Sequence, residues 1–233
     1  MGCYNKSLKL DENQLLKIAH FMCKLSPKNI LLIGGGNVMT QTAGYKRMRD
    51  LSDDLDFITN DEGIAEVRRF FDLKKHYHNG TRSDGEVSYV NGIVVMFFYE
   101  HIKGWKIPES AFESYVVNCT SAGQIYSVPP ELNIALKIRR GSSKSPDPHI
   151  YGKDALDFAT IHAGMTLGGK KFNAGDFARN MSCGVCQSCN LLSKTDCLRQ
   201  LSVSSYQLQG KLREEYESTI RNCSSELERH CRF

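Results

Sequence analysis

Two aspartates, Asp54 and Asp56, stand one residue apart in the segment SDDLDFI. If this segment is a strand, alternation places both carboxylates on one face and Leu55 and Phe57 on the other. The two carboxylates are then about 6.8 Å apart along the strand, and such a pair can hold one or two divalent cations. A D-x-D pair alone is also common on solvated surfaces, so its neighbours in the chain decide between these interpretations.

A run of three glycines, Gly34 to Gly36, follows the short apolar segment Ile30–Ile33. Glycines let a backbone approach a ligand closely, and amides at the start of a following helix bind anions such as a nucleotide phosphate. The run does not match the dinucleotide fingerprint G-x-G-x-x-G, because Met39 occupies the third glycine position, and the Walker pattern is absent. A dinucleotide enzyme or small-molecule kinase is therefore disfavoured. Two interpretations of the glycine run stay open: a turn that binds a phosphate, and a turn without a ligand.

The predicted elements place the glycines and the aspartates on neighbouring parts of one sheet. An amphipathic helix over residues 11–25 precedes a strand at 30–33. A helix of two turns is expected from Asn37 to about Gly44, and a second strand from Leu55 to Ile58. A helix candidate at 62–73, with Phe70 on its apolar face, and two β-rich segments around the hairpin signal VNG follow.

From Val128 onward the chain changes character, because helical patterns with proline or glycine before them replace the β-rich segments. We therefore expect an α+β fold with a boundary near Ser127. Residues 1–127 form the mixed-sheet domain in this prediction, and residues 128–233 form a helical C-terminal domain with a cysteine-rich loop.

The cysteine-rich loop has the sequence SCGVCQSCNLLSKTDC, with the spacing C-x2-C-x2-C and a fourth cysteine after seven intervening residues. Thiolates two residues apart across a turn suit a tetrahedral Zn²⁺ site, whereas iron–sulfur runs need a different fourth spacing. The alternative is a set of reduced thiols in a loop. A zinc ion here would be structural, and its predicted ligands are Cys183, Cys186, Cys189 and Cys197.

Length and composition bound the class of protein. The chain has 233 residues, of which 41% are hydrophobic, and this content is ordinary for a globular protein with a buried core. It contains neither an apolar run of the roughly 20 residues that span a bilayer nor an N-terminal secretory signal, so we expect a cytoplasmic protein without membrane association. The net charge of +4 permits a nucleic-acid partner without requiring one.

The order of strand, glycines, short helix, basic loop and S-x-D-x-D-F resembles the DNA polymerase β-like nucleotidyltransferase superfamily, and within it the AbiEii-type abortive-infection toxin branch. A second match lies downstream, where PPELNIALKIRR and GKDALDFATI resemble the branch's helix with Lys and Arg and its K-D-x-x-D segment. Together the two matches cover roughly residues 30 to 160.

The resemblance implies a mixed sheet with flanking helices and an enzyme that needs Mg²⁺ or Mn²⁺. The reaction would move a nucleoside monophosphate from a nucleoside triphosphate to an acceptor hydroxyl. Asp54 and Asp56 would hold the metal, and Lys137 would pair with phosphate or acceptor. Asp154 and Asp157 also fit ordinary roles as helix N-terminal acids and surface partners. The residues implied to bind the nucleotide or its acceptor are Gly35, Gly36, Asn37, Arg49, Ser52, Arg140 and Lys153.

Members of this family carry a third carboxylate on a later strand, and here Met96 occupies the aligned position. Glu100 shares a face with Met96 and Phe98 by alternation, so it is the candidate for completing the site from a shifted position. A solvated strand end is the alternative for Glu100. The sequence therefore leaves two functions open: an active transferase, or a catalytically degenerate nucleotide- or nucleic-acid-binding module with a structural zinc site.

The resemblance also suggests partners. Transfer RNA is the first candidate acceptor, with other nucleic acids, a protein or a small molecule as alternatives. An antitoxin-like protein is a further expected partner of the toxin branch.

Overall fold

A seven-stranded mixed sheet with helices on both faces forms the N-terminal part of the protein, and a set of packed helices follows it. The structure is a computed structural model that describes residues 11–42, 48, 54–78, 82–99, 101–102, 105–141, 148–182, 198, 201–202, 205 and 207–231. Within these residues, no helix is both long enough and apolar enough to cross a bilayer.

The elements have the following bounds. The helices are α1 (Glu12–Leu25), α2 (Gly34–Gln41), α3 (Asp61–Phe70), α4 (Ser110–Glu113), α5 (Pro130–Gly141), α6 (Pro148–Leu167), α7 (Ala174–Ser182) and α8 (Gly210–Cys231). The strands are β1 (Ile30–Ile33), β2 (Asp54–Thr59), β3 (Lys74–His78), β4 (Arg82–Val90), β5 (Ile93–Phe98), β6 (His101–Ile102), β7 (Trp105–Lys106), β8 (Val116–Thr120) and β9 (Gly123–Ser127).

The seven strands of the main sheet lie in the order β3-β4-β5-β2-β1-β9-β8. β2 is central, since it pairs antiparallel with β1 and parallel with β5. β4 and β5 form the predicted hairpin, and its turn residues Asn91 and Gly92 have φ values of 51° and 80°. Positive φ at both central turn residues is the geometry that matches the twist of the flanking strands.

Three apolar clusters hold the fold together. The first lies under α1 and α3 on one sheet face, and it includes Leu32, Leu55, Phe57 and Val95. The second lies on the opposite face against α4 and α5, and it includes Ile33, Ile58, Phe98 and Leu132. The third lies among the later helices, and it includes Phe158, Phe177 and Tyr216. Each side of the central strands is thus covered, which explains the wholly apolar run at β1.

Two predicted helices differ from the observed ones at their ends. α2 begins at Gly34 and ends at Gln41, so the glycines belong to the helix instead of preceding it. α3 ends at Phe70, whose side chain is 61% exposed, so its predicted place on the apolar face is wrong. Phe71 leaves the helix with extended backbone and contacts Phe21 edge-on.

The boundary near Ser127 stays a prediction. All the strands of the described residues precede this position, and α5 to α8 follow it. However, Val128 and Leu132 pack in the same cluster as sheet residues such as Ile33, and α5 therefore also covers the sheet. The first helix after the sheet thus belongs physically to both parts.

His162 lies in the interior of the helical part, where α6 meets α8. Its ring packs edge-on against Tyr216, with centroids 5.4 Å apart, and its Nε2 is 2.9 Å from Thr219 Oγ1. Burial lowers the pKa of His162 to about 4, because the charged imidazolium would lose its hydration. The side chain is therefore neutral at pH 7.

Lowering the pH should destabilise the protein through His162. The unfolded chain takes up a proton near pH 6.5, whereas the native histidine resists protonation until about pH 4. The stabilisation by neutral His162 is thus complete above about pH 6.5 and is lost as the pH falls toward 4. We expect the wild type to lose about 3 kcal/mol more of its unfolding free energy across this window than His162→Gln. Urea denaturation at several pH values measures the difference, and parallel pH profiles would contradict it.

Candidate functional site

The aspartate pair lies on the central strand β2. Asp54 and Asp56 share one face and are half-buried, while Leu55 and Phe57 on the other face are buried. Asp56 lies opposite Ile33, the last residue of β1, in the antiparallel register. The carboxylates therefore sit beside the point where β1 turns into α2.

Gly34 makes this turn with a φ of +66°, in the left-handed region that glycine adopts without steric cost. A Cβ at this position would lie 2.9 Å from Asp56 Oδ2. Any side chain here would thus press on the carboxylate as well as strain the backbone. The close approach of Asp56 therefore requires a glycine at position 34. This contact brings the glycine run and the aspartate pair, which are separate in the sequence, next to each other in the fold.

Asn133 of α5 holds Gly34 from the other side. Its Oδ1 accepts a hydrogen bond from the Gly34 amide at 2.8 Å, and its Nδ2 donates to the Gly34 carbonyl at 3.2 Å. The Asn133 side chain is fully buried, so these bonds compete with little water. The side chain acts as a peptide-like partner that fixes the backbone of Gly34.

The first amides of α2 are the groups that an anion would meet. The first residues of a helix have no intrahelical acceptor for their N–H groups. The Gly34 amide is bonded to Asn133, which leaves those of Gly35 and Gly36. Gly36 also packs closely on Leu32 and Leu55, because a Cβ there would lie about 3.0 Å or less from both side chains. Both glycines are buried, and Gly34 is half-buried.

The Asn37 side chain makes a structural contact, while the predicted role of Asn37 toward a phosphate stays a prediction. As the fourth residue of α2 it is the first whose amide can bond within the helix. Its buried side chain donates from Nδ2 to the Val128 carbonyl at 3.0 Å, and Gln41 Nε2 donates to the same oxygen at 2.9 Å. Asn37 therefore ties α2 to the chain that leads into α5.

The aligned position of the third carboxylate is occupied by Met96, which lies directly beside Asp56 in the parallel pairing of β2 and β5. The described residues contain no group of three or more His, Cys, Asp or Glu side chains that could hold a metal ion. Glu100, Arg49 and Ser52 lie outside the described residues, and so do the predicted zinc ligands Cys183, Cys186, Cys189 and Cys197. Among the described residues, the candidate ligands for Mg²⁺ at this site are therefore the carboxylates of Asp54 and Asp56.

Lys137 of α5 is buried and lies between two carboxylates of α6. Its Nζ is 2.7 Å from Asp157 Oδ2 and 3.4 Å from Asp154 Oδ1, and all three side chains are at most 7% exposed. The interpretation of Asp154 and Asp157 as surface acids is therefore wrong, because the K-D-x-x-D segment faces the interior. Burial of a lone charge is costly, and this arrangement offsets it with opposite charges.

The remaining predicted phosphate or acceptor ligands are less informative. Lys153 is exposed on α6, beside the buried Asp154. Arg140 lies in the last turn of α5, and its side chain is outside the described residues.

Asn133 is the residue that sequence reasoning missed. It stands in the segment PPELNIALKIRR, one helical turn before Lys137, and therefore on the same side of α5. A buried asparagine in an apolar helix is a signal, because its amide must find partners. The partner, Gly34, is 99 residues away in the chain, so the sequence did not identify it.

Comparison with known proteins supports the fold. No protein-family model and no curated protein sequence matches this chain. Among solved structures, it is similar to an antigenic nucleotidyltransferase-like protein from Paracoccidioides brasiliensis, with a TM-score of 0.54 and 14% identity over 95% of this chain and 99% of that one.

Two further structures are similar over part of the chain. A provisional nucleotidyltransferase from Thermotoga maritima has a TM-score of 0.44 and 15% identity, over 59% of this chain and 91% of that one. The antibiotic-resistance factor ANT(2'')-Ia has a TM-score of 0.47 and 12% identity, over 74% and 91% of the two chains. Of these three structures, the one from Paracoccidioides brasiliensis has a TM-score above 0.5, so the assignment of the fold rests on it. The predicted α+β nucleotidyltransferase fold is confirmed.

Removing the Asn133 side chain should loosen Gly34. In Asn133→Ala both hydrogen bonds to Gly34 are lost inside the protein, at a cost of about 2 kcal/mol in unfolding free energy. Hydrogen exchange at the Gly34 amide should also become faster, because its acceptor is gone. Asn118→Ala at the sheet edge removes one half-buried hydrogen bond, to Ser127, and is the matched control. Unchanged exchange at Gly34 in Asn133→Ala would contradict the assignment.

Replacing Lys137 should destabilise the protein strongly. Lys137→Met removes the cation that Asp154 and Asp157 share, and breaking a buried ion pair in this way costs about 3–5 kcal/mol. The exposed Lys24→Met should stay within about 0.5 kcal/mol of the wild type. Combining Lys137→Met with Asp157→Asn should recover part of the loss, which a double-mutant cycle in urea measures. Additive losses would show that the pair does not interact.

Proposed function

We propose that this chain is a metal-dependent nucleotidyltransferase, which moves a nucleoside monophosphate from a nucleoside triphosphate to an acceptor hydroxyl. The observation that carries the proposal is the contact between Gly34 and Asp56. It places two half-buried aspartates beside the start of a helix within a nucleotidyltransferase fold. Carboxylates for a cation and amides for phosphate are the two groups that a bound metal–triphosphate complex needs.

Asp54 and Asp56 are the residues that hold Mg²⁺ or Mn²⁺ in this proposal. When bound, the metal neutralises charge on the phosphates and lowers the pKa of the attacking hydroxyl. The two carboxylates share a face of a rigid central strand, so their separation is set by the backbone. Glu100 stays the candidate third ligand, because Met96 fills the neighbouring position on β5 with a thioether that is a poor ligand for a hard cation.

The start of α2 binds the β and γ phosphates in this proposal. The amides of Gly35 and Gly36 have no intrahelical acceptor, whereas that of Gly34 is bonded to Asn133, and the helix dipole adds positive potential at this end. Asn37 supports the helix through its bond to Val128. Arg49, Ser52, Arg140 and Lys153 are proposed to contribute charge or hydrogen bonds to the phosphates or to the acceptor.

Lys137 is proposed to act as a positioning residue. Its ammonium is bound by Asp157 and Asp154, so it sets the register of α5 against α6. One turn away on α5, Asn133 holds the glycine that touches Asp56. The family resemblance also suggests the AbiEii-type toxin branch, a transfer RNA acceptor and an antitoxin-like partner, and we retain these as parts of the proposal.

The second candidate function is nucleotide binding without turnover. The position of Met96 favours it, because the described residues supply two carboxylates where the family uses three. The two functions differ in one respect that is measurable: both bind a nucleoside triphosphate, but only the transferase passes label to an acceptor.

Neutralising either aspartate should abolish transfer. The full chain is incubated with each α-labelled nucleoside triphosphate, Mg²⁺ and a transfer RNA pool, or with a mixture of protein or small-molecule acceptors. We expect Asp54→Asn and Asp56→Asn to reduce label transfer by about a hundredfold or more, because each removes a metal ligand and a charge. Asp72→Asn, at an exposed position after α3, is the matched control and should transfer label normally.

Each other outcome has a defined meaning. Transfer by the wild type and equally by Asp56→Asn would remove the aspartates from the site. Nucleotide binding without transfer to any acceptor would favour the binding module. Transfer to a protein or small molecule, but not to transfer RNA, would keep the reaction and reject the proposed acceptor.

A further inference from the structure

A cavity lies in the helical part, between the C-terminal end of α6, the segment that follows it and the first half of α8. Its volume is about 410 Å³, which is within the range of small-ligand sites. Its wall includes His162 of α6. Gly164 packs directly on Thr42 at the end of α2, and His162 is two residues before it, about 200° around the helix. The cavity therefore lies on the side of α6 that faces away from α2.

The cavity carries excess positive charge. Three lysines, Lys170, Lys171 and Lys211, and one glutamate, Glu215, line it, so that the wall has a net charge of +2. Lys211 Nζ is 3.6 Å from Glu215 Oε1, which is a long contact at an exposed position. Lys170 and Lys171 have no ion-pair partner in the part of the chain that the structure describes.

Helix capping explains part of this arrangement but not all of it. Lys170 and Lys171 follow the C-terminus of α6, where cations are stabilised by the helix dipole. Lys211 stands in the first turn of α8, where the dipole disfavours a cation. Its placement N-terminal to Glu215 is also the weaker orientation for a helical ion pair. The position of Lys211 at the cavity is therefore not accounted for by local helix stability.

A buried polar group also lines this cavity. His162 is 3% exposed, its Nε2 is paired with Thr219, and its Nδ1 has no hydrogen-bond partner among the described residues. Nδ1 is itself enclosed, whereas the hydroxyls of Ser218 and Thr219 on the same wall can donate to a phosphate oxygen or accept from a ligand hydroxyl.

We propose that this cavity binds a small phosphate monoester, at a site separate from the nucleotide site. A phosphate monoester carries a charge close to −2 at pH 7, which complements the net charge of the wall. The cavity is larger than a phosphate group, so it has room for an organic part with hydroxyls that Ser218 and Thr219 can bind. The proposal is independent of the proposed transferase activity, because it uses none of the residues around Gly34 and Asp56.

The test follows the ring signals of His162 in the NMR spectrum of the full chain, assigned by their absence in His162→Gln. The probe is ribose 5-phosphate, and ribose and inorganic phosphate are the comparison ligands. We expect saturable shifts with ribose 5-phosphate, none with ribose, and weaker binding of inorganic phosphate. Lys170→Gln/Lys171→Gln should weaken the binding of ribose 5-phosphate at least tenfold. Lys74→Gln/Lys75→Gln, an adjacent exposed pair on β3, should leave it unchanged.

Asp56→Asn should retain the shifts, because the cavity does not include the aspartate pair. The absence of saturable shifts in the wild type would overturn the proposal. Shifts of equal affinity in Lys170→Gln/Lys171→Gln, or their loss in Asp56→Asn, would also overturn it. Equal affinity for inorganic phosphate and ribose 5-phosphate would assign the cavity to a free anion and reject a monoester ligand.

Discussion

Gly34 leaves β1 with a positive φ, and a Cβ at this residue would lie 2.9 Å from Asp56 Oδ2. This contact lets the start of α2 and the carboxylates of β2 occupy the same edge of the sheet. A larger residue would separate them by straining the backbone, by moving the carboxylate, or by both. The candidate site therefore depends on one glycine for its geometry, and the surrounding packing serves to keep that glycine in place.

A series of buried polar contacts connects this glycine to the helical part of the protein. Asn133 holds Gly34, and Lys137 on the same side of α5 is bound by Asp157 and Asp154 of α6. Buried polar groups of this kind are costly unless their partners are correctly placed, so they favour one relative position of α5 and α6. The helical segment thus fixes the position of Asn133, and through it the backbone of Gly34.

The features that the sequence predicts correctly are those set by neighbouring residues in the chain. The alternation at residues 54–57 predicted a strand with both aspartates on one face, and the VNG segment predicted a hairpin, and both features are present. The start of α2 was misplaced by three residues, because a glycine run suggests a turn unless its distant partner Asn133 is known. The surface roles that the sequence allows for Asp154 and Asp157 fail for a similar reason: their partner, Lys137, lies on another helix. Pairing between distant residues was the information that a single sequence lacked.

In the proposed site, a metal on the aspartate pair and phosphates at the start of α2 lie side by side. Paramagnetic Mn²⁺ tests this arrangement directly, because it broadens the NMR signals of nearby amides. With Mn²⁺ and a non-hydrolysable nucleoside triphosphate, we expect strong broadening of the Gly35 and Gly36 amide signals in the wild type and its loss in Asp56→Asn. Broadening that is absent from these amides, or that persists unchanged in Asp56→Asn, would show that metal and phosphates do not meet there.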